Sequence, residues 1–292
     1  MLQVRLGEFR SSDYDPHPKI QPTSVQIGRW TDCGDCTVDT RFRVLMTIGL
    51  LVSSGCSYYH NLLEPQRLDA GYTLVLPGVD GPSFVNSNMA QGLQDAGLST
   101  AIEVHDWTTG HFCLFPVHLR HTERNRQQAQ RLVAKIVAYQ DQYPGRPVHL
   151  LGHSGGCAII VWALEALPDG RTVTSATLLA PAISRKYDLS TALARTSEGI
   201  WNYHSPVDAL FLVAGTTLAG TVDGRHTPSA GAYGFISPAD LTPQQSALYQ
   251  SRLHQVPYDW KMLANGNHGG HLGPTWVSFM RERVAPVLLE FE

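Results

Sequence analysis

The segment that most constrains this chain runs from Val148 to Leu164. An apolar stretch, Val148-His149-Leu150-Leu151, meets Gly152-His153-Ser154-Gly155-Gly156, and a second apolar stretch, Cys157–Leu164, follows at once. This reads as a buried strand turning sharply into a buried helix around G-x-S-x-G. Such a turn strains the serine backbone, and Gly152 and Gly156 are the residues that avoid the clashes a Cβ would bring. The turn lifts the Ser154 hydroxyl off the end of the strand, with a helix N-terminus behind it that favours developing negative charge. Ser154 is therefore the candidate nucleophile, and a parallel α/β sheet is the scaffold that presents one this way.

The alternation around the turn agrees. Tyr72–Leu76 reads as a strand stopped by Pro77-Gly78-Val79-Asp80-Gly81-Pro82. A helix follows with Phe84, Val85, Met89, Leu93 and Ala96 on one face and Gly97 as its stop. Ala101–Val104 is the next strand, and His121–Gln142 has helical period with Ala129, Leu132, Val133, Ile136 and Val137 on one face. Strands are also expected from about Thr174 to Leu179 and over Ile200–His204. The chain then reads as helical or irregular up to Trp260, with a closing helix from Thr275 to about Leu289. Strand and helix in alternation predict a doubly wound, mostly parallel sheet with helices on both faces. Ligands in such sheets bind at the carboxyl ends of strands.

A serine hydroxyl needs a base to take its proton and an acid to orient that base. His153 adjoins Ser154 but lies on the turn and cannot fold back onto it, so it is expected to contact neighbouring loops. The loop before the last helix offers His268 and His271, and histidine titrates near neutral pH. The acid candidates are Asp208, Asp223 and Asp240. Asp223 reads as part of a β-turn, Thr221–Gly224, and Asp240 as helix N-cap material. The oxyanion needs two preorganised donors. Gly155 N–H follows the nucleophile, and the loop after the first strand supplies the second, from Val79 or Asp80, with Gly78 and Gly81 allowing its shape.

These residues together resemble the α/β-hydrolase superfamily of serine esterases and lipases. The resemblance runs from about residue 70 to the C-terminus, over Pro77–Asp80, Gly152–Gly156, Tyr203–Asp208 and Asn267–Gly273. It implies the chain order nucleophile, acid, base. It places the acid at Asp208, just past the Ile200–His204 strand, with Asp223 as the alternative. It places the base at His271, the histidine of the Gly-Gly-His-x-Gly segment, with His268 as the alternative. The implied activity is hydrolysis of a carboxylic ester, from a small molecule or a lipid, through an acyl-enzyme and without a cofactor. An acyltransferase or thioesterase would use the same triad, and a non-catalytic binding protein would share the fold. Between Pro181 and the strand before the acid only Ala182–Gly199 is available, so no large cap domain is expected. The longer Ala209–Leu253 excursion is expected to reach the mouth, with Tyr233 and Phe235 as apolar wall. Short to medium acyl groups are the expected substrates.

Composition bounds the rest. With 292 residues and a net charge of −3, one large α/β domain is expected over 70–292, and nothing favours nucleic acid as a partner. No apolar run reaches the roughly 18 residues that span a bilayer. Residues 1–56 differ in character: Met1–Thr40 is polar with Pro16, Pro18 and Pro22, then come Arg41-Phe42-Arg43, apolar Val44–Val52 and Ser53-Ser54-Gly55-Cys56. These are the parts of a secretory signal, and the ending resembles a bacterial lipobox. Export with a lipid anchor at Cys56, on a periplasmic membrane face, is the expectation, with 57–69 as a tether; a structural 41–56 would instead fit a cytoplasmic protein. Cys33-Gly-Asp-Cys36 lacks the strand–helix unit of a redox motif, and Cys113 and Cys157 read as buried thiols. His105, His111, His118 and His121 lack metal-site spacing and read as surface and loop histidines, so no metal is expected. The loop that carries Trp107 and His111 leaves the end of a strand and is expected to border the substrate pocket.

Overall fold

A computed structural model describes residues 62–111, 114–208 and 221–292. Six strands form one parallel sheet: β1 (Tyr72–Leu76), β2 (Ala101–Val104), β3 (Val148–His153), β4 (Val173–Leu179), β5 (Thr196–His204) and β6 (Leu253–Pro257). Their spatial order is β2-β1-β3-β4-β5-β6, with every neighbouring pair parallel. The order reverses between β1 and β3, so the crevice for a ligand opens at the carboxyl ends of those two strands. One loop leaving that point carries Ser154 and the other carries Val79.

Ahead of β6 the α-helices are α1 (Pro65–Ala70), α2 (Phe84–Asp95), α3 (Phe115–Arg120), α4 (Thr122–Gln142), α5 (Gly156–Ala166), α6 (Ser190–Ala194), α7 (Ala230–Tyr233) and α8 (Pro243–Arg252), and a broken helix over Val277–Leu289 follows it. They cover two separate apolar cores. One joins Leu74, Leu76 and Leu150 to Leu132 and Ile136 of α4 and to α5, whose apolar residues Cys157–Leu164 are all buried. The other joins Val75, Ile102 and Leu151 to Met89 and Leu93 of α2 and to Phe279, Met280 and Leu288 near the C-terminus. Successive β1 and β3 residues alternate between these cores, which is why both strands read as continuous apolar runs. Gly97 ends α2 in the left-handed region (φ 88°), with Leu98 N–H returning to Leu93 O at 3.2 Å.

The structure departs from the sequence reading in several places. β6 falls in the stretch that reads as helical or irregular; its sequence, Leu-His-Gln-Val-Pro, is half polar because it is an edge strand, and Pro257 closes it. The closing helix is not continuous. It runs Val277–Phe279, passes through a π-helical turn at Met280–Val284 and resumes at Ala285–Leu289, where Pro286 lacks the N–H that a regular turn would use. Residues 62–69, read as the end of a tether, are packed. Leu62 is buried in the second core, Arg67 donates to Leu98 O and Thr100 O, and Tyr139 Oη donates to Leu68 O. Between β4 and β5, α6 is the single helix. The Cys33–Cys36 pair, Cys56, Cys113 and the start of the Ala209–Leu253 excursion lie outside the described residues.

Candidate active site

Ser154 sits at the turn between β3 and α5 with φ 52°, a left-handed conformation that costs a non-glycine residue of order 1–3 kcal/mol. Its surroundings hold it there. Ser154 N–H donates to Leu179 O at 3.0 Å, and Ser154 O accepts from Ala182 N–H at 3.1 Å. Ala180, at the end of β4, shares the strained geometry (φ 47°), a feature without any sequence signal. The flanking glycines are required by contact. A Cβ on Gly156 would lie 2.4 Å from Pro77 O, and one on Gly152 would lie 2.8 Å from Ile160 Cδ1 and 3.0 Å from Cys157 N. Cys157 is a buried free thiol, and burial pushes it far up from its ordinary pKa.

The structure brings Ser154, His271 and Asp208 into one hydrogen-bonded chain. His271 Nε2 lies 3.0 Å from Ser154 Oγ, and His271 Nδ1 lies 2.8 Å from Asp208 Oδ2. A carboxylate accepts only, so Nδ1 carries the proton and Nε2 offers its lone pair to the serine hydroxyl. Asp208 ends a short 3-10 turn, Pro206–Asp208, directly after β5, with its N–H on Ser205 O. It is 2% exposed; burial pushes its carboxyl up, and the hydrogen bond to His271 pulls the other way.

The loop bearing His271 is shaped by its own polar groups. Buried Asn267 accepts from Gly269 N–H at 2.8 Å, Gly269 is left-handed (φ 78°), and Gly273 N–H closes on Gly270 O at 2.8 Å. His153 ties this loop to the sheet: its Nε2–H donates to His271 O at 3.0 Å, and the two rings lie 4.7 Å apart. Burial, and then the neighbouring His271, hold His153 down to about 3, so it stays neutral and serves as a strut beside the site.

The alternatives fall elsewhere. Asp223 accepts from Ser184 N–H at 3.0 Å and faces Arg225, while Asp240 is exposed beside α8, whose N-cap is Thr242. His268 is exposed, with Nδ1 on Gly266 O. Gly155 and Val79 are neighbours, since a Cβ on Gly155 would lie 2.6 Å from Val79 Cγ1.

Three further residues need correction. Trp107 is fully buried and donates from Nε1 to Pro77 O at 2.7 Å, so it supports the loop after β1 and does not line a pocket. Phe235 is buried in the first core and Tyr233 lies under Arg185, so Phe235 walls no mouth. His118 is fully buried, not a surface histidine. Among the described residues no three His, Cys, Asp or Glu side chains gather as metal ligands; His121 accepts from Arg124 N–H as the N-cap of α4, and burial lowers the pKa of His105.

The sheet order, the strained serine after β3 and the crevice between β1 and β3 make this an α/β-hydrolase fold. No protein-family model matches the chain, and no curated protein matches it. Solved structures similar to it include an esterase, a lipase and a cutinase. Esterase PE8 is 14% identical over 76% of this chain and 93% of its own, with a TM-score of 0.44. Aspergillus fumigatus lipase B is 12% identical over 77% of this chain and 54% of its own (TM-score 0.47). A Trichoderma reesei cutinase, solved with a phosphonate inhibitor, is 11% identical over 87% and 92% (TM-score 0.37).

Proposed function

We propose that the protein is a serine hydrolase that cleaves a carboxylic ester through an acyl-enzyme. The observation that carries this reading is the continuous Ser154–His271–Asp208 hydrogen-bond chain at the switch point of the sheet. Ser154 Oγ attacks the ester carbonyl as its proton passes to His271 Nε2. The imidazolium is stabilised by Asp208, whose buried carboxylate has no competing solvent. The oxyanion that forms is received by the N–H groups of Gly155 and Val79; a single donor of this kind is typically worth about 2.7–4 kcal/mol of barrier. Collapse expels the alcohol, which takes the proton from His271. Water then repeats the sequence from the other side, releasing the acid and restoring Ser154.

The substrate reading follows from what surrounds the triad along the chain. Phe84, Val207, Leu272 and Trp276 are exposed and stand in the segments that follow β1, β5 and β6, Phe84 at the start of α2 and Val207 in the 3-10 turn that ends at Asp208. These apolar side chains favour an ester with an apolar acyl or alcohol part, and the short connection between β4 and β5 favours short to medium chains. The test is labelling with a fluorophosphonate and turnover of a p-nitrophenyl ester series. Wild type labels and turns over; Ser154→Ala does neither. Folded wild-type protein that resists labelling and leaves every ester intact would overturn the proposal.

A further inference from the structure

The loop after β1 is held at three consecutive carbonyls. Trp107 Nε1–H donates to Pro77 O at 2.7 Å, Gly81 N–H to Gly78 O at 3.2 Å, and His118 Nδ1 lies 2.7 Å from Val79 O. In a trans peptide the N–H points away from the C=O, so fixing these carbonyls fixes the N–H groups of Gly78, Val79 and Asp80. The second bond is local to the turn. The third is imposed by a residue of α3, on the far side of the β2 connection.

His118 is built for this contact. Its Nε2 accepts from Thr109 N–H at 3.1 Å and lies 2.9 Å from Thr109 Oγ1. A backbone N–H only donates, so Nε2 holds the lone pair and Nδ1 holds the proton. The ring is thus a neutral imidazole that donates to Val79 O. Its own carbonyl is taken by the buried Asn125 of α4, and its ring stands edge-on to Trp107, 6.0 Å between centroids. A fully buried imidazole with both nitrogens engaged directs its donor to one place.

We infer that His118 is a positioning residue for the oxyanion site: by clamping the Val79 carbonyl it fixes the plane of the Val79–Asp80 peptide, and through it how the backbone bearing the Val79 N–H stands beside Gly155. The inference rests on the serine-hydrolase reading. It assigns His118 no contact with substrate and no proton in the reaction.

The test compares His118→Asn with His118→Gln in the full chain. The asparagine amide reaches the place of Nδ1 and can donate to Val79 O; the glutamine amide reaches the place of Nε2 and keeps Thr109 instead. His118→Gln should lose roughly 10–100-fold in kcat, less than the 10²–10³-fold typical of a deleted donor, because the donor is displaced and not removed. Its KM should stay within about twofold, on the same basis. Affinity for a trifluoromethyl ketone, whose adduct carries the oxyanion, should fall in parallel, and the pH midpoint of kcat/KM should not move. His118→Asn should recover most of the loss. Equal kcat in the two variants, or a kcat loss without weaker ketone binding, overturns the inference. A second measurement needs no variant: imidazole nitrogen NMR of the wild type should show His118 protonated at Nδ1 alone, and protonation at Nε2 overturns the inference. Failure of wild type to label or turn over would instead refute the hydrolase reading, while the NMR result would still report on the His118 clamp.

Discussion

His149 makes a clean probe of how burial in this sheet couples folding to pH. It lies in β3, five residues before Ser154, with Nδ1 2.7 Å from Ser175 Oγ and no solvent exposure. Burial lowers its pKa from 6.5 to about 4. The unfolded chain therefore binds a proton below pH 6.5 that the folded chain refuses until about pH 4. The stability tied to this group is complete above pH 6.5 and is lost as the pH falls toward 4. At about 1.36 kcal/mol per pH unit, acidification from pH 8 to pH 5 removes about 2 kcal/mol through His149. His153, held down to about 3, removes a similar amount over the same range. Together they account for about 4 kcal/mol, a large share of a typical domain's 5–15 kcal/mol. Urea unfolding of wild type and His149→Gln at pH 8 and pH 5 checks this. The variant should lose about 2 kcal/mol less than wild type over that range, whatever its stability at pH 8. An identical pH dependence in both proteins would refute the reasoning. It also bears on activity: whatever part of a turnover loss at pH 5 comes from unfolding should respond to His149→Gln.

Three other outcomes are expected. Asp208→Asn should lower kcat on the order of 10³–10⁴-fold by turning the His271 tautomer around, whereas Asp223→Asn, which only weakens the hold on Ser184, should change kcat little and show its effect in Tm. Gly155→Ala sets a methyl 2.6 Å from Val79 Cγ1 and 3.3 Å from the Trp107 ring; it should slow fluorophosphonate labelling at least tenfold and cost about 1–3 kcal/mol in urea unfolding. A chain started at residue 57, which keeps Leu62 and α1, should be soluble with the Tm and kcat of the full chain, and unfolding of that protein would make the preceding residues structural.

What the sequence made legible follows from how locally each feature is determined. The elbow could be read because strain, glycine spacing and the two apolar runs all sit within one short segment, and contact supplies the same reason for Gly152 and Gly156 that spacing did. Asp208 and His271 were harder, since their loops have no period. They could be ranked over Asp223 and His268 only through resemblance, and it is the geometry that separates them: Asp223 is committed to Ser184 and His268 to Gly266. β6 stayed hidden because an edge strand alternates weakly and ends in proline. His118 shows the limit most plainly. A histidine beside two others in an aromatic loop carries no mark of burial, and its value comes from a partner on another strand's loop. Its 2.7 Å contact with Val79 O exists only after β1 and β2 have paired and α3 has packed behind them. The strained Ser154 turn is thus written locally, whereas the shape of the loop after β1 is written in tertiary contacts. Variants of Trp107 and His118 should therefore alter rate through shape, although neither residue belongs to any motif in the chain.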